Sequence, residues 1–309
     1  MGYNEAEFLS GMKFFIHTYS NGNTPAKISL CKNDGSLVRI LQENSELKER
    51  LKSYNLSKKE FLKINANGIS LNAWMIKPPN FDPSKKYPVY FNVYGGPGHN
   101  EVLDSWDGSD FMYHQLLAQK GYIIFSVDPR GTMYQGTKFK KSTYLELGKL
   151  EIEDIINSAK ELTKLPYVDG NRIGIMGWSY GGFMASLAIT KGADVFKMAI
   201  AVAPVTNWRY YDNIYTERFM RTPAENEAGY DGNSPINFVD KMKGKFFLIH
   251  GSADDNVHYQ NSMEMINALV KANKQFDWAI YPDKNHGIYG GKTRIQLYNK
   301  MTNFIKEKL

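Results

Sequence analysis

The stretch Gly174–Ser186, GIMGWSYGGFMAS, places Ser179 among four glycines, between two apolar runs. Each glycine would weaken the interior of a helix or strand, because glycine loses more backbone freedom on folding than other residues. The run before Ser179, RIGIM, is typical of a buried strand, and the run after it, GFMASLAIT, is typical of a helix. We therefore expect Ser179 on a tight turn between a strand and a helix.

The residues around Ser179 fit the pattern G-x-S-x-G, which marks the nucleophile elbow of α/β-hydrolases. At such an elbow the serine has a strained backbone, and its Oγ projects from the edge of the sheet. Glycine is required at Gly177 and Gly181, because larger side chains would push the strand away from the helix. Backbone N–H groups at the helix start, including that of Tyr180, would face developing negative charge. The alternative is a glycine-rich turn that only packs closely.

The rest of the chain divides into two zones. Residues 8–76 contain short apolar runs separated by NGN, NDGS and Asn67-Gly68, which are typical of hairpin turns. From about residue 87 onward, apolar strand-like runs alternate with helix-like runs such as 144–165 and 294–309. This order predicts the α/β class and an α/β-hydrolase fold: a mostly parallel sheet with helices on both faces, preceded by short antiparallel hairpins.

Composition excludes several classes of function. The 309 residues carry a net charge of +6, but the basic residues are scattered, so we expect no nucleic-acid partner. Cys31 is the single cysteine, which fits a reducing compartment or a bacterial envelope protein without disulfides. No apolar run reaches the ~20 residues of a membrane span, and the first residues lack signal-peptide features. No group of side chains has zinc-ligand spacing, so neither a metal nor an organic cofactor is expected.

A serine nucleophile needs a histidine base and an acid that orients it. In α/β-hydrolases these residues follow the serine in the order acid, then histidine, each on a loop after a strand. KFFLIHGSADDNVH opens such a loop with Asp254 and Asp255, and FDWAIYPDKNHG opens a later one with His286. The sequence therefore predicts a catalytic triad of Ser179, Asp254 and His286.

The other histidines fit the role of base less well. His258 lies four residues after Asp254 on the same segment, so it cannot approach the serine from a separate loop. His250 precedes the acid and breaks the order. Three more lie upstream of the serine: His17, His99 and His114.

The oxyanion needs a second donor besides the backbone N–H of Tyr180. Many lipases supply it from an H-G-G-G segment after an early strand, but this chain has VYGGPGHN there. Tyr94 ends that strand, where its hydroxyl could face Ser179. A tyrosine that only packs against the core is the alternative.

The combination GWSYGG, HGSADDNVH, DKNHG, YGGP, DPRGTMYQG and APVTNWRYYDNIYTERFM resembles the dipeptidyl peptidase IV branch of the prolyl oligopeptidase family of serine peptidases. The resemblance runs from about residue 60 to the end of the chain. It implies that Ser179, Asp254 and His286 are the triad and that the Tyr94 hydroxyl completes the oxyanion hole. It also implies that Asn256 binds the substrate backbone and that an apolar pocket for the penultimate residue, usually proline, is walled by Tyr180, Val205, Trp208, Tyr211, Tyr215 and Val257.

Members of that family carry an N-terminal β-propeller, and in the dipeptidyl branch it supplies paired glutamates that hold the substrate amino terminus. By this resemblance, residues 1–57 are expected to be the last blade or two of a propeller, and residues 58–309 the catalytic domain. The glutamate pair is not in this chain. A homodimer of the full-length protein and a location in the bacterial periplasm or cell envelope are compatible with the resemblance.

The resemblance favours a serine exopeptidase that releases N-terminal dipeptides after proline or alanine. An oligopeptide endopeptidase, an acylaminoacyl-peptidase and an esterase remain open on the same fold. So do a fragment that is inactive without its propeller and a binding module without activity. Tyr94 and the aromatic segment favour the peptidases over the esterase.

Overall fold

The computed structural model describes residues 2–309, which form two β-sheets and nine α-helices. The strands are β1 (Tyr3–Phe8), β2 (Phe14–Asn21), β3 (Thr24–Lys32), β4 (Leu37–Gln42), β5 (Lys59–Ala66), β6 (Ile69–Ile76), β7 (Tyr87–Val93), β8 (Ile123–Asp128), β9 (Val168–Trp178), β10 (Met198–Val202), β11 (Lys245–Gly251) and β12 (Asp277–Tyr281). The helices are α1 (Ser45–Leu51), α2 (Ser109–Gln119), α3 (Thr137–Lys140), α4 (Lys149–Leu162), α5 (Tyr180–Lys191), α6 (Asn213–Met220), α7 (Glu227–Gly232), α8 (Gln260–Lys271) and α9 (Thr293–Lys308). Two short 3₁₀ helices span Trp208–Tyr210 and Pro235–Lys241.

The first sheet is an antiparallel meander in the order β1-β2-β3-β4. A two-residue turn at Gly22 and Asn23 joins β2 to β3, since Asn21 pairs with Thr24. Gly35, with φ of +88°, turns the chain between β3 and β4. Every residue of β1 and β4 is exposed, so both edges of this sheet face solvent. The predicted hairpins are therefore present, and the assignment of residues 1–57 to a propeller stays a prediction.

The second sheet has eight strands in the order β12-β11-β10-β9-β7-β8-β6-β5. The six strands from β12 to β8 are parallel, whereas β6 and β5 join the edge as an antiparallel hairpin. Asn67 and Gly68 both have positive φ at the tip of that hairpin, as a two-residue turn between right-twisted strands requires. Because the strands from β12 to β8 run the same way, the loops after them meet at one edge of the sheet.

Helices cover both faces of the large sheet, which confirms the predicted fold class. Ile155 of α4, Leu187 of α5 and Leu269 of α8 belong to one buried apolar cluster. Leu117 of α2 and Leu297 of α9 belong to the other. Since side chains alternate between the faces of a strand, each inner strand contributes to both clusters. The central parts of the inner parallel strands are therefore apolar, and the sequence shows them as short continuous runs.

Helices α4 and α2 differ from the sequence-based expectation. The helix expected over 144–165 is shorter, because Gly148 with φ of +90° precedes α4 and the first residues form turns. Helix α2 was not anticipated, and its half-polar sequence SDFMYHQLLAQ explains why the apolar period was weak.

Candidate active site

Ser179 lies between β9 and α5 in a conformation that side chains rarely adopt, with φ of 60° and ψ of −118°. A Cβ on Gly177 would lie 2.1 Å from the backbone of Gly181. A Cβ on Gly181 would lie 2.1 Å from the carbonyl oxygen of Val93. Both positions therefore admit only glycine, and this close approach brings the start of α5 against the end of β7. The glycines around the serine are a steric requirement of the strand–helix turn.

The first turn of α5 supplies free backbone donors next to Ser179. The N–H of Ser179 itself is occupied, because it donates to the Val202 carbonyl at 2.8 Å. Tyr180 is the first residue of the helix, where N–H groups have no acceptor within the helix. An oxyanion on a substrate bound at Ser179 would therefore meet the Tyr180 N–H and the positive end of α5.

Asp254 and His286 meet at the ends of β11 and β12. The Nδ1 atom of His286 lies 2.8 Å from Oδ2 of Asp254. The other carboxylate oxygen, Oδ1, accepts hydrogen bonds from the backbone N–H groups of Asn256 (3.0 Å) and Val257 (2.9 Å). The indole of Trp178 donates to the His286 carbonyl at 2.9 Å, which ties the histidine loop to the strand before Ser179.

The Ser179 hydroxyl is not hydrogen-bonded to His286 in the described part of the chain. Such contacts are often long in the absence of substrate and shorten when it binds. The structure therefore brings the predicted base and acid into contact and places the serine on the neighbouring elbow.

A second histidine contacts the same acid, and sequence reasoning did not anticipate it. His250, on β11, is fully buried, and its Nε2 lies 3.1 Å from Oδ2 of Asp254 and 2.9 Å from the Val257 carbonyl. Since a carbonyl only accepts, Nε2 carries the proton, and Nδ1 then accepts from the Ser262 hydroxyl at 2.7 Å. His250 thus supplies a fixed donor to the acid from inside the core.

The environment of Asp254 favours its charged form. Burial by itself would raise the pKa of this carboxyl, but hydrogen bonds from His250 and His286 and the charge of His286 outweigh burial. The pKa of Asp254 consequently lies well below its usual range, and the carboxylate stays ionised beside His286.

Tyr94 follows β7 and lies beside the start of α5. Its ring centroid is 5.9 Å from that of Tyr180 and 4.3 Å from that of His99. A Cβ on Gly96 would lie 2.5 Å from the Tyr94 ring, so glycine lets the ring fold over the loop. Burial, and then the charge of Glu101, raises the pKa of Tyr94, so its hydroxyl remains a donor.

The remaining predicted residues form one aromatic cluster next to the elbow. Trp208 and Tyr215 stack at 5.9 Å, and Tyr211 meets the Tyr215 ring edge-on at 5.4 Å. Trp208 is only 1% exposed, so it supports the other rings from behind. Val205 and Val257 are also buried, in the same apolar core as Trp208. The cluster is flat-walled and apolar.

Two polar contacts hold this cluster in place. The Tyr211 hydroxyl donates to Oδ1 of Asn256 at 2.6 Å, which links the cluster to the acid loop. The Tyr180 hydroxyl donates to Oε1 of Glu151 at 2.7 Å. Glu151 is fully buried on α4, and no sequence signal identified it, although a glutamate at the third helical position is a known capping residue.

Among residues 2–309, no three His, Cys, Asp or Glu side chains come together as a metal site. Within the same range, no helix is both long and apolar enough to cross a bilayer.

The doubly covered parallel sheet and the serine on its strand–helix elbow define this chain as an α/β-hydrolase-fold protein. More narrowly, the chain belongs to the prolyl oligopeptidase family, whose family model matches residues 109–309. The probable dipeptidyl-aminopeptidase B of Ajellomyces dermatitidis is 38% identical over 308 residues, which cover 98% of this chain and 33% of that protein. The human protein named prolyl endopeptidase FAP is 42% identical over 273 residues, covering 87% of this chain and 36% of that protein.

Two solved structures that resemble this chain also carry dipeptidyl peptidase names. The crystal structure of Porphyromonas gingivalis dipeptidyl peptidase 4 matches with a TM-score of 0.96 and 46% identity, over 100% of this chain and 44% of that chain. A putative dipeptidyl aminopeptidase IV from Bacteroides ovatus matches with a TM-score of 0.91 and 33% identity, over 100% and 43%. The chain thus spans about a third of the curated relatives (33% and 36%) and less than half of these structures.

Proposed function

We propose that this chain is the catalytic part of a serine peptidase that releases N-terminal dipeptides after proline or alanine. The observation that carries the proposal is the position of the apolar aromatic cluster beside Ser179, at the same sheet edge as the Asp254–His286 pair. A substrate carbonyl at Ser179 would place its preceding side chain against this cluster. Family membership and the names of the relatives support the same activity.

The proposed reaction passes through an acyl-enzyme. His286 takes the proton of the Ser179 hydroxyl as its Oγ attacks the scissile carbonyl. The backbone N–H of Tyr180 and the hydroxyl of Tyr94 donate to the oxyanion. His286 then protonates the leaving amine, and water hydrolyses the ester by the same steps in reverse order. Asp254, held ionised, orients His286 and stabilises the imidazolium that forms.

The rings explain a preference for proline. Tyr180, Tyr211 and Tyr215 provide flat apolar walls, with Val205, Val257 and Trp208 packed around them. Proline fits such a slot well because its ring is rigid and loses little conformational entropy when held. A charged side chain would lose its hydration without a partner there. In this proposal Asn256 contacts the substrate backbone.

The test compares substrates on the full-length protein that contains this chain. We expect Gly-Pro-p-nitroanilide to be cleaved at least about 100-fold faster in kcat/KM than Gly-Arg-p-nitroanilide, because an unpaired buried charge costs several kcal/mol. A fluorophosphonate probe should label the protein, and Ser179→Ala should abolish both labelling and cleavage. Labelling that survives Ser179→Ala would overturn the site assignment.

Two other substrates separate the alternatives. Equal cleavage of N-acetyl-Gly-Pro-p-nitroanilide would favour an endopeptidase or acylaminoacyl-peptidase, which accept a blocked amino terminus. Faster cleavage of short p-nitrophenyl esters than of either peptide would favour an esterase. The homodimer of the full-length protein also stays a prediction, and size-exclusion chromatography with light scattering tests it.

A further inference from the structure

A cavity of about 320 Å³ adjoins His286, and no member of the aromatic cluster lines it. Tyr94 and Trp178 form part of its wall, so it opens directly beside the proposed catalytic residues. The residues that extend it away from the active site are mostly polar: Asn92, Glu101, Asp110, Tyr113, His114, Arg294 and Tyr298.

The position of the cavity identifies which part of a substrate would reach it. The acyl side of the cleaved bond would occupy the aromatic cluster, none of whose members lines the cavity. His286 lines the cavity and is the group that would protonate the leaving amine. We therefore expect the leaving peptide to pass His286 and to reach this cavity.

The cavity wall carries two carboxylates and one arginine. Glu101 and Asp110 line it together with Arg294, and Nε2 of His99 lies 3.1 Å from Oε1 of Glu101, a contact that raises the pKa of His99. The Arg294 guanidinium stacks 4.8 Å from the Trp178 ring centroid, and it forms no ion pair with either carboxylate among the described residues. Partial desolvation, and then the charge of Glu101, raises the pKa of Asp110, so the two carboxylates repel each other. A cation placed between them would relieve this repulsion.

The inner wall adds two unused polar atoms. The Tyr90 hydroxyl and Nδ1 of His114 are buried and have no hydrogen-bond partner within residues 2–309, and both residues line the cavity. Burial, and then the charge of Lys59, lowers the pKa of His114 to about 3, so this ring is neutral and one nitrogen is an acceptor. Both atoms are closed off from solvent, so Glu101 and Asp110 are the acceptors that a lysine ammonium in the cavity would meet.

We propose that this cavity binds a basic side chain, lysine or arginine, of the leaving peptide, with Glu101 and Asp110 as its anionic partners. The inference rests on the proposed peptidase function and adds a preference that the aromatic cluster cannot supply. A peptide with an acidic residue at the same position meets two carboxylates and is disfavoured.

The test uses peptides in which a single leaving-side residue varies. In one set, Gly-Pro-Xaa-Ala-Ala carries lysine, its neutral analogue norleucine, or glutamate at Xaa. In the second set, Gly-Pro-Ala-Xaa-Ala carries the same residues one position later. In at least one set we expect kcat/KM for lysine to exceed that for norleucine by about 5-fold or more, with glutamate lowest, as partly buried ion pairs produce.

Variants assign the preference to the cavity. Glu101→Gln and Asp110→Asn should each bring the lysine-to-norleucine ratio closer to unity, and Glu307→Gln, which removes an exposed carboxylate outside the cavity, should not. The ratio is taken within each variant, so a general loss of activity cancels. Cleavage of all these peptides at rates within about twofold of each other would overturn this inference and leave the peptidase function intact. Failure to cleave any Gly-Pro peptide would overturn both.

Discussion

Glu151, the buried glutamate that accepts a hydrogen bond from Tyr180, offers a direct test of the packing behind the aromatic cluster. Glu151 has no solvent exposure, and its two oxygens accept from the Tyr180 hydroxyl (2.7 Å) and the Gly148 N–H (3.0 Å). Glu151→Gln keeps the shape of the protonated acid. The amide oxygen can accept from Gly148, and the amide N–H can donate to the Tyr180 oxygen. The variant therefore differs from the wild type chiefly by being unable to ionise.

The size of the effect follows from the pKa. Burial, against the hydrogen bond from Tyr180, raises the pKa of Glu151 from its usual value of 4.5 to about 8. Below the unfolded value both states are protonated. Between the unfolded and the folded pKa of Glu151, the unfolded chain releases the proton and the folded chain keeps it. The free energy of unfolding therefore falls as pH rises, and the loss is complete above the folded pKa. This difference corresponds to about 5 kcal/mol of unfolding free energy.

The assay is urea unfolding of wild type and Glu151→Gln from pH 5 to pH 9. Near pH 5 we expect the two to agree within about 1 kcal/mol, the value of one altered hydrogen bond. Toward pH 9 the variant should become the more stable by at least about 2 kcal/mol. Glu153→Gln, a half-exposed carboxyl on the same helix, is the control and should follow the wild type. If the free energy of unfolding had the same pH dependence in the wild type and in Glu151→Gln, the reasoning would be refuted.

Two further predictions concern the catalytic groups. Tyr94→Phe should lower kcat by about 10²–10³-fold with little change in KM, since an oxyanion donor acts mainly in the transition state; an unchanged kcat would place the oxyanion hole elsewhere. His250→Gln should lower kcat about 10-fold by misorienting Asp254, while KM changes less than about twofold because His250 touches no substrate. This loss is far smaller than the roughly 10⁴-fold loss from replacing a triad aspartate. A raised KM with normal kcat would assign His250 to binding instead. Steady-state kinetics on Gly-Pro-p-nitroanilide measures both.

The features that sequence alone predicted are those with a local cause. The position of Ser179 was predicted from its glycines. A Cβ on Gly177 would lie 2.1 Å from the nearby Gly181 backbone, whereas a Cβ on Gly181 would lie 2.1 Å from the distant Val93 carbonyl. The alternation of strands and helices was readable because a doubly covered parallel sheet needs continuous apolar strands. Asp254 and His286 were found from their order after successive strands, which the parallel sheet turns into spatial proximity.

The features that sequence missed depend on partners far apart in the chain. Glu151 meets the Tyr180 hydroxyl across 29 positions, and nothing near either residue marks the pair. The acidic cavity joins Asn92 and Glu101 to Arg294 and Tyr298, which lie on the last helix. In both cases the chemistry arises where unrelated elements pack together, so no local pattern could have indicated it.

Two histidines contact Asp254, and chain order and exposure favour the same one, His286, as the proposed base. Both ring nitrogens lie within hydrogen-bond distance of the same Oδ2 atom, at 2.8 Å for His286 and 3.1 Å for His250. Distance to the acid therefore does not separate them. Solvent exposure separates the two histidines, because the His286 side chain is 22% exposed and the His250 side chain is 0% exposed. A base must exchange a proton with substrate, and only a loop after a later strand can bring a histidine over the sheet edge to do so. The residue on β11, His250, is buried, and we expect it to orient the acid rather than to act as the base.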